Sequence, residues 1–187
     1  MHCKEVLSQL EYKKDWDTAI EYMEHIIHEN PDDMDAYIYM NYLLMNLLVE
    51  EDHNSLEHNF EYYTELAKHY FDISYAKYSE NAEYLFYTGI TAVISEWYWE
   101  IEVDDYKKML AKAMQLEPNN LVYHWQHIIH LKEKDPKNHK ELREYYELVL
   151  KEDSEIRKTL EAKGEIGQYI LGMMTTSAKD FLEGKYY

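Results

Sequence analysis

The chain has 187 residues and carries 37 acidic against 19 basic side chains, which gives a net charge of −18. This balance argues strongly against DNA- or RNA-binding proteins, which need a basic surface to displace counterions, and against binding to anionic membrane surfaces. With only 5 Gly and 3 Pro, the composition favours helices over a many-stranded sheet. The single cysteine, Cys3, excludes an intrachain disulfide, and the first 15 residues lack an apolar signal-peptide core. We therefore expect a cytoplasmic protein.

The first half of the chain predicts four helices. A stripe from Trp16 to Ile27 at helical spacing predicts a helix over 15–29, which ends at Asn30-Pro31. Residues 34–49 are apolar nearly all round, so we expect that helix to lie between neighbours. Two longer helices are predicted over 54–76 and 80–102. The last of these is predicted to be central, because small residues opposite its apolar face allow another helix to approach: Thr88, Thr91, Ala92 and Ser95.

The second half predicts shorter helices separated by proline and glycine. The first is predicted over 105–116, the second runs to about 133, and the third follows Asp135-Pro136. A final pair is predicted over 154–162 and 165–183, with Gly164 between them. No convincing strand alternation is present. The predicted fold class is all-α, with eight to ten helices stacked as antiparallel hairpins in a single domain over 1–187.

Residues 15–48 resemble the tetratricopeptide repeat family. The segment runs from Asp15-Trp16-Asp17 through Ala19, Met23 and Ile26 to Asn30-Pro31-Asp32, followed by Ala36-Tyr37 where a next repeat would begin. A weaker match lies within 105–133, at Asp105-Tyr106, Leu110, Ala113 and Pro118. The resemblance implies a repeat-like superhelix that binds a peptide or protein in its concave groove. The residues it places in that groove are Asp35, Ile38, Tyr42, Met45 and Asn46.

Charge is distributed very unevenly along the chain. Residues 1–62 hold 15 acids and 3 bases, whereas residues 119–187 hold 12 and 11. Between Asp15 and Ala67 there are 14 acids and no Lys or Arg. A surface that serves solubility alone normally intersperses both signs, although drift toward acidity in an acidic proteome is the alternative. We interpret the segment as a docking face for a basic partner.

The predicted partner-binding residues are acids of this segment together with polar and aromatic neighbours: Asp32, Asp33, Asp35, Tyr39, Tyr42, Asn46, Glu50, Glu51, Asp52, Glu57 and Glu61. By type, a small, acidic, aromatic-rich helical protein resembles bacterial immunity proteins, antitoxins that cover the active site of a cognate toxin. Toxins that cut nucleic acid have basic clefts, which an acidic face complements. The alternative is a tetratricopeptide-like adaptor or chaperone that holds a peptide in its groove.

Catalytic and metal-site patterns are weak. His124, His127 and His130 recur every three residues, as do His25 and His28, but the neighbouring isoleucines indicate a polar helix edge. Glu50 and His53 have the spacing of a di-iron motif, which such sites need twice. Neither a Gly-x-Ser-x-Gly elbow nor a glycine-rich phosphate loop occurs. We predict no metal, no cofactor and no enzymatic activity; an enzyme is the third class considered.

Overall fold

The computed structural model describes residues 2–50, 59–131 and 136–185, and within them it contains helices and no strand. The all-α prediction is confirmed. In these ranges ten α-helices occur: α1 (His2–Tyr12), α2 (Trp16–Glu29), α3 (Met34–Glu50), α4 (Phe60–Tyr78), α5 (Ala82–Ala92), α6 (Val103–Leu116), α7 (Trp125–Leu131), α8 (His139–Leu150), α9 (Glu155–Glu161) and α10 (Glu165–Leu182).

The helices group into two compact units, Met1–Leu116 and Glu117–Tyr187. The first unit contains α1 to α6 and the second contains α7 to α10. The sequence predicts one domain over 1–187. This stays a prediction, because it depends on how the two units associate. No helix in the described ranges is both long enough and apolar enough to cross a membrane.

Helix α3 forms the centre of the first unit. Every residue from Ala36 to Met45 is buried, as the sequence pattern predicts for a helix between neighbours. Helices α2, α4 and α5 all pack against it. Helix α5 is buried almost all round and packs closely on α6, because Gly89 leaves room there: a Cβ atom at this position would lie 2.9 Å from Leu110 Cδ2. The prediction of a central helix in this region is confirmed for Ala82–Ala92.

The fourth predicted helix is shorter than the expected range 80–102. Helix α5 ends at Ala92, and a short 3-10 helix follows over Glu96–Trp99. Near the break, the Thr91 hydroxyl donates to the Tyr87 carbonyl (2.9 Å) and the Ser95 hydroxyl donates to the Thr91 carbonyl (2.7 Å). Side-chain bonds to backbone carbonyls compete with the helix. Trp97, which continues the apolar stripe of this helix in the sequence, is exposed.

Two other boundaries differ from the sequence prediction. The sequence did not predict helix α1. The third helix was expected over 54–76, whereas in the described part of the chain, which does not include 51–58, it begins at Phe60. Helix α2 and the end of α3 lie within one or two residues of their predictions. The proline and capping signals therefore place helix ends better than a continuing apolar stripe does.

In the second unit, α8 and α9 both pack on α10. The Ser154 hydroxyl caps α9 by accepting a hydrogen bond from the Arg157 backbone N–H (3.3 Å). Gly164 starts α10 with a positive φ of 71°, a conformation that glycine adopts without steric cost. The predicted helix stop at Gly164 is confirmed.

Candidate partner-binding face

Helices α2 and α4 both pack on α3 and are joined to each other by side-chain hydrogen bonds. The Tyr63 hydroxyl donates to the Asp17 carboxylate, and the Tyr70 hydroxyl donates to Glu24 Oε1 (3.2 Å). In each pair the two partners are 46 residues apart in sequence. Moving seven residues along α2, from Asp17 to Glu24, therefore corresponds to moving seven residues along α4, from Tyr63 to Tyr70. The two hydrogen bonds therefore fix a parallel register between the helices.

This register bears on the repeat resemblance. In a tetratricopeptide array, equivalent helices are about 34 residues apart. In this chain the parallel neighbours α2 and α4 are 46 residues apart. The helices of the first unit stack on one another, and their spacing is not that of a regular tetratricopeptide array.

The parallel packing brings carboxylates of α2 next to a tyrosine of α4. Asp17 and Glu21 are exposed, Glu24 is half-buried, and Tyr62 is 54% exposed. Burial raises the pKa of the Tyr62 hydroxyl, and the negative charges of Glu24, Asp17 and Glu21 raise it further. These four residues are hereafter the acid–tyrosine face. An aromatic ring thus stands in a field of several carboxylates, the surroundings that favour a cation.

The residues of the acid–tyrosine face all belong to the part of the sequence that has no basic residue. The run from Asp15 to Ala67 without Lys or Arg includes the whole of α2 and the first turns of α4. The run also includes α3, in which 36–45 are buried, and 51–58, which lie outside the described ranges, so the face draws on α2 and the start of α4. The carboxylates of α2 on this surface have no lysine or arginine on their own helix to neutralise them.

The predicted acids of the α2–α3 connection have structural partners. Asp33 Oδ1 accepts a hydrogen bond from the Ala36 backbone N–H (3.1 Å) and so caps α3. Asp32 is exposed and lies 3.2 Å from Lys77 Nζ, whose charge offsets its own. Asp35 is exposed in the first turn of α3. Of these three carboxylates, that of Asp33 stabilises the start of α3 through its hydrogen bond.

The residues predicted to line a concave groove are mostly buried. Tyr42 is 4% exposed, and Ile38 and Met45 are buried with it; Tyr39, predicted to bind the partner, is also buried, at 6% exposed. Asn46 is half-buried and donates from Nδ2 to the Glu11 carboxylate (3.3 Å). The expectation that these α3 side chains face an open groove is corrected for Ile38, Tyr42 and Met45, which are buried in a helix on which α2, α4 and α5 pack.

Other predicted site residues lie at or beyond the edge of the described ranges. Glu51, Asp52 and Glu57 fall outside them, as does the side chain of Glu50. Glu61 is exposed in the first turn of α4, next to Tyr62. Glu61 thus directly precedes a residue of the acid–tyrosine face, and the partner-binding role of all five acids stays a prediction.

Sequence reasoning missed the main residues of the face. Asp17, Glu21 and Glu24 repeat at helical spacing opposite the apolar stripe of α2, which alone indicates only a solvated surface. Tyr62 does not fit the core stripe of its helix. The usable signal was the run without basic residues. That run could not show that residues of α2 and α4 lie close together in the folded protein.

The histidines do not form a metal site in the described part of the chain. No group of three or more His, Cys, Asp or Glu side chains there could hold a metal ion. His124 Nε2 lies 2.7 Å from the Pro118 carbonyl oxygen, and His127 is exposed. The side chain of His130 is outside the description. His25 and His28 are exposed on α2.

A second polar cluster is sealed inside the first unit. The Ser74 hydroxyl donates to the Tyr70 carbonyl (2.6 Å), accepts from Asn41 Nδ2 (3.2 Å) and lies 2.7 Å from the Tyr84 hydroxyl. Since Ser74 has one proton and gives it to the carbonyl, Tyr84 donates to Ser74. Asn41, Ser74 and Tyr84 are fully buried, so the cluster fixes the register of α3, α4 and α5 and is closed to substrates.

Comparisons with protein families, with curated proteins and with solved structures found no match to the chain.

Proposed function

We propose that the protein is a non-enzymatic, acidic binding protein of the cytoplasm whose acid–tyrosine face docks a basic protein. The specific form of the proposal is an immunity protein that binds a cognate toxin and occludes a basic active-site cleft, such as that of a nuclease. The observation that carries it is the parallel register of α2 and α4, which sets carboxylates of α2 beside the exposed ring of Tyr62.

Electrostatics and surface chemistry support this form of recognition. A surface with one sign of charge accelerates encounter with a partner of opposite sign and rejects partners of the same sign. Tyrosine is enriched among the residues that dominate binding energy at interfaces. Tyr62 is an exposed tyrosine within the carboxylates of α2, so the face combines long-range attraction with a short-range contact.

A repeat-like stack of hairpins is part of the same proposal. Consecutive helices of the first unit pack together, α1 on α2, α2 on α3 and α3 on α4, in agreement with such a stack. The alternative function, a peptide held in a concave groove along α3, has less support because Tyr39 and Tyr42 are buried. The exposed acidic surface therefore favours docking of a folded basic partner.

The proposal is tested with the basic protein encoded next to this chain in its genome. The two proteins are co-expressed and the complex is isolated by size-exclusion chromatography, while the toxicity of the partner is scored in growing cells. We expect a stable complex and restored growth. A neighbouring product that is acidic at its contact surface, or growth arrest that this chain does not relieve, would refute the immunity proposal.

The site of docking is tested by reversing three exposed acids of α2 and α4 that take no part in the hydrogen bonds above: Glu21→Lys, Glu61→Lys and Glu65→Lys. Exposed charge pairs contribute about 0.5–1 kcal/mol each, so the triple variant should bind about tenfold to a hundredfold more weakly. The matched control reverses Glu141, Glu144 and Glu152 of the second unit, which gives the same net charge and should change affinity little. Equal losses for both variants would show that net charge alone matters.

A further inference from the structure

The connection between α5 and α6 exposes large apolar side chains. Of the four tryptophans, all of them in the described ranges, Trp97 alone is exposed, at 56%. Val93 and Val103, in the same stretch of chain, are 38% and 42% exposed. A single exposed apolar residue is ordinary on a protein surface, whereas several within eleven residues, one of them a tryptophan, are typical of an interaction site.

Acidic side chains surround this tryptophan in the sequence. Residues 94–106 contain five acids and no base. Lysines offset three of these five charges: Glu100 pairs with Lys68 (3.1 Å), Asp104 with Lys107 (4.0 Å) and Asp105 with Lys108 (3.0 Å), so the acids still outnumber their basic partners. Glu96, directly before Trp97, has a buried oxygen, Oε2, without a hydrogen-bond partner among the described residues. The surroundings of Trp97 therefore favour a partner that brings positive charge.

The residues after Trp97 hold it on the core of the first unit. The Tyr98 hydroxyl donates to the Leu48 carbonyl near the end of α3 (3.1 Å), and the Tyr98 ring meets Phe60 edge to face (6.0 Å between centroids). Trp99 is buried and stacks on Phe71 of α4, with 4.6 Å between ring centroids. An exposed side chain on a fixed backbone loses little conformational freedom when it binds.

The same contacts link the stretch around Trp97 to α3 and α4. Tyr98 contacts Leu48, near the end of α3, and Phe60, the first residue of α4. Phe60 also shares the first turn of α4 with Tyr62 of the acid–tyrosine face. Trp97 thus lies beside the start of the helix that carries the proposed docking surface.

We infer that Trp97 is an anchor that inserts into a cationic amphipathic segment of the basic partner, between apolar side chains flanked by Lys or Arg. The inference rests on the proposed function and adds to it the chemistry of the contacting segment. A second copy of this chain fits poorly, because its net charge of −18 opposes association. An anionic membrane surface is disfavoured for the same reason.

Two synthetic peptides of equal charge test the anchor. One alternates Lys with Leu as an amphipathic helix, and the other replaces each Leu with Ser. Affinity is measured by isothermal titration calorimetry, and the surroundings of Trp97 are followed by tryptophan fluorescence. We expect the Lys–Leu peptide to bind at least tenfold more tightly than the Lys–Ser peptide and to shift the emission to shorter wavelength. Trp97→Ala should abolish both the preference and the shift, and Trp97→Phe should retain most of the preference.

The control variant is Tyr12→Ala, which removes an aromatic residue that is 91% exposed on α1 and should leave both affinities unchanged. Circular dichroism confirms that each variant is folded. If neither peptide binds at low salt, the basic-partner proposal fails and the anchor with it. If both peptides bind equally, or the preference survives Trp97→Ala, the anchor alone is refuted. Self-association that depends on Trp97 in sedimentation velocity would also overturn the inference.

Discussion

At the scale of single residues, the contact between α9 and α10 depends on one glycine. A Cβ atom added at Gly167 would lie 1.8 Å from the Leu160 carbonyl oxygen, and that oxygen belongs to the backbone, which cannot rotate away. Gly167→Ala should therefore force the two helices apart. We expect a loss of about 3 kcal/mol in the free energy of unfolding, measured by urea denaturation followed by circular dichroism.

Gly172 provides the matched control on the same helix. A Cβ atom there would meet nothing within 4 Å. Since glycine in a helix interior is less favourable than alanine, Gly172→Ala should stabilise the second unit by about 0.5–1 kcal/mol. Similar effects of the two substitutions would contradict the close contact at Gly167.

The hydrogen bond between Tyr63 and Asp17 should make stability depend on alkaline pH. Burial, followed by the bond to the Asp17 carboxylate, raises the pKa of Tyr63 from its ordinary value of 10.0 to about 12. Because the folded state holds this proton more tightly, the stabilisation is complete below pH 10 and is lost as the pH rises toward 12.

The comparison is between the wild type and Tyr63→Phe. The variant should be about 1 kcal/mol less stable at pH 8, because a hydrogen bond is lost. It should also lose less stability than the wild type between pH 9.5 and pH 11.5, as measured from urea midpoints. Parallel curves over this interval would show that Tyr63 keeps an ordinary pKa in the folded protein.

At the scale of elements, the break between α5 and α6 depends on a residue in the left-handed region. Glu100 has a φ of 55° and ψ of 37° and ends the 3-10 helix. This conformation costs a non-glycine residue about 1–2 kcal/mol. Glu100→Gly should remove that cost and lose only the exposed pair with Lys68, worth less than about 1 kcal/mol. We expect a net stabilisation of about 0.5–1 kcal/mol in thermal unfolding.

Glu100→Gln separates the two effects. This variant keeps the strained backbone and removes the charge, so its stability should be equal to or slightly below that of the wild type. If Glu100→Gly were the less stable of the two variants, the ion pair with Lys68 would outweigh the backbone strain.

Individual helices could be predicted from the sequence because their signals are local. The apolar stripe from Trp16 to Ile27, and the break at Pro31, give α2 and the start of α3 nearly residue by residue. The end of α5 could not be predicted from the stripe, which continues through Trp97. Near that end the Thr91 and Ser95 hydroxyls donate to backbone carbonyls, contacts that hydrophobic spacing does not reveal.

Neighbour relations between helices lie beyond sequence periodicity. The sequence shows that α2 has an acidic side and that Tyr62 lies off the apolar stripe of α4. That the two meet is decided by hydrogen bonds between residues 46 apart, Tyr63 with Asp17 and Tyr70 with Glu24. Likewise, the apolar character of α3 predicts burial, whereas the repeat resemblance placed Tyr42 in an open groove. Packing on three sides of α3 decides between these two expectations.

At the scale of the whole molecule, charge is segregated between the two units. The first unit holds most of the excess acid, and residues 119–187 are nearly neutral. Like charges on one unit oppose its compact state, so their concentration costs stability. A partner that neutralises them would recover that stability, which is the physical basis for proposing a basic partner.

The central claim is that the location of the acidic residues on the first unit, and not the net charge of the chain, creates the docking surface. The most direct test is stopped-flow association with the Lys–Leu peptide at about 50 mM and about 500 mM NaCl, because salt screens long-range attraction between exposed charges. The variants are the triple reversal of Glu21, Glu61 and Glu65 and the control reversal of Glu141, Glu144 and Glu152, which have identical net charge. We predict that the first variant associates several-fold more slowly and with a weaker salt dependence, while the control stays close to the wild type. Equal association rates for the two variants would contradict the account.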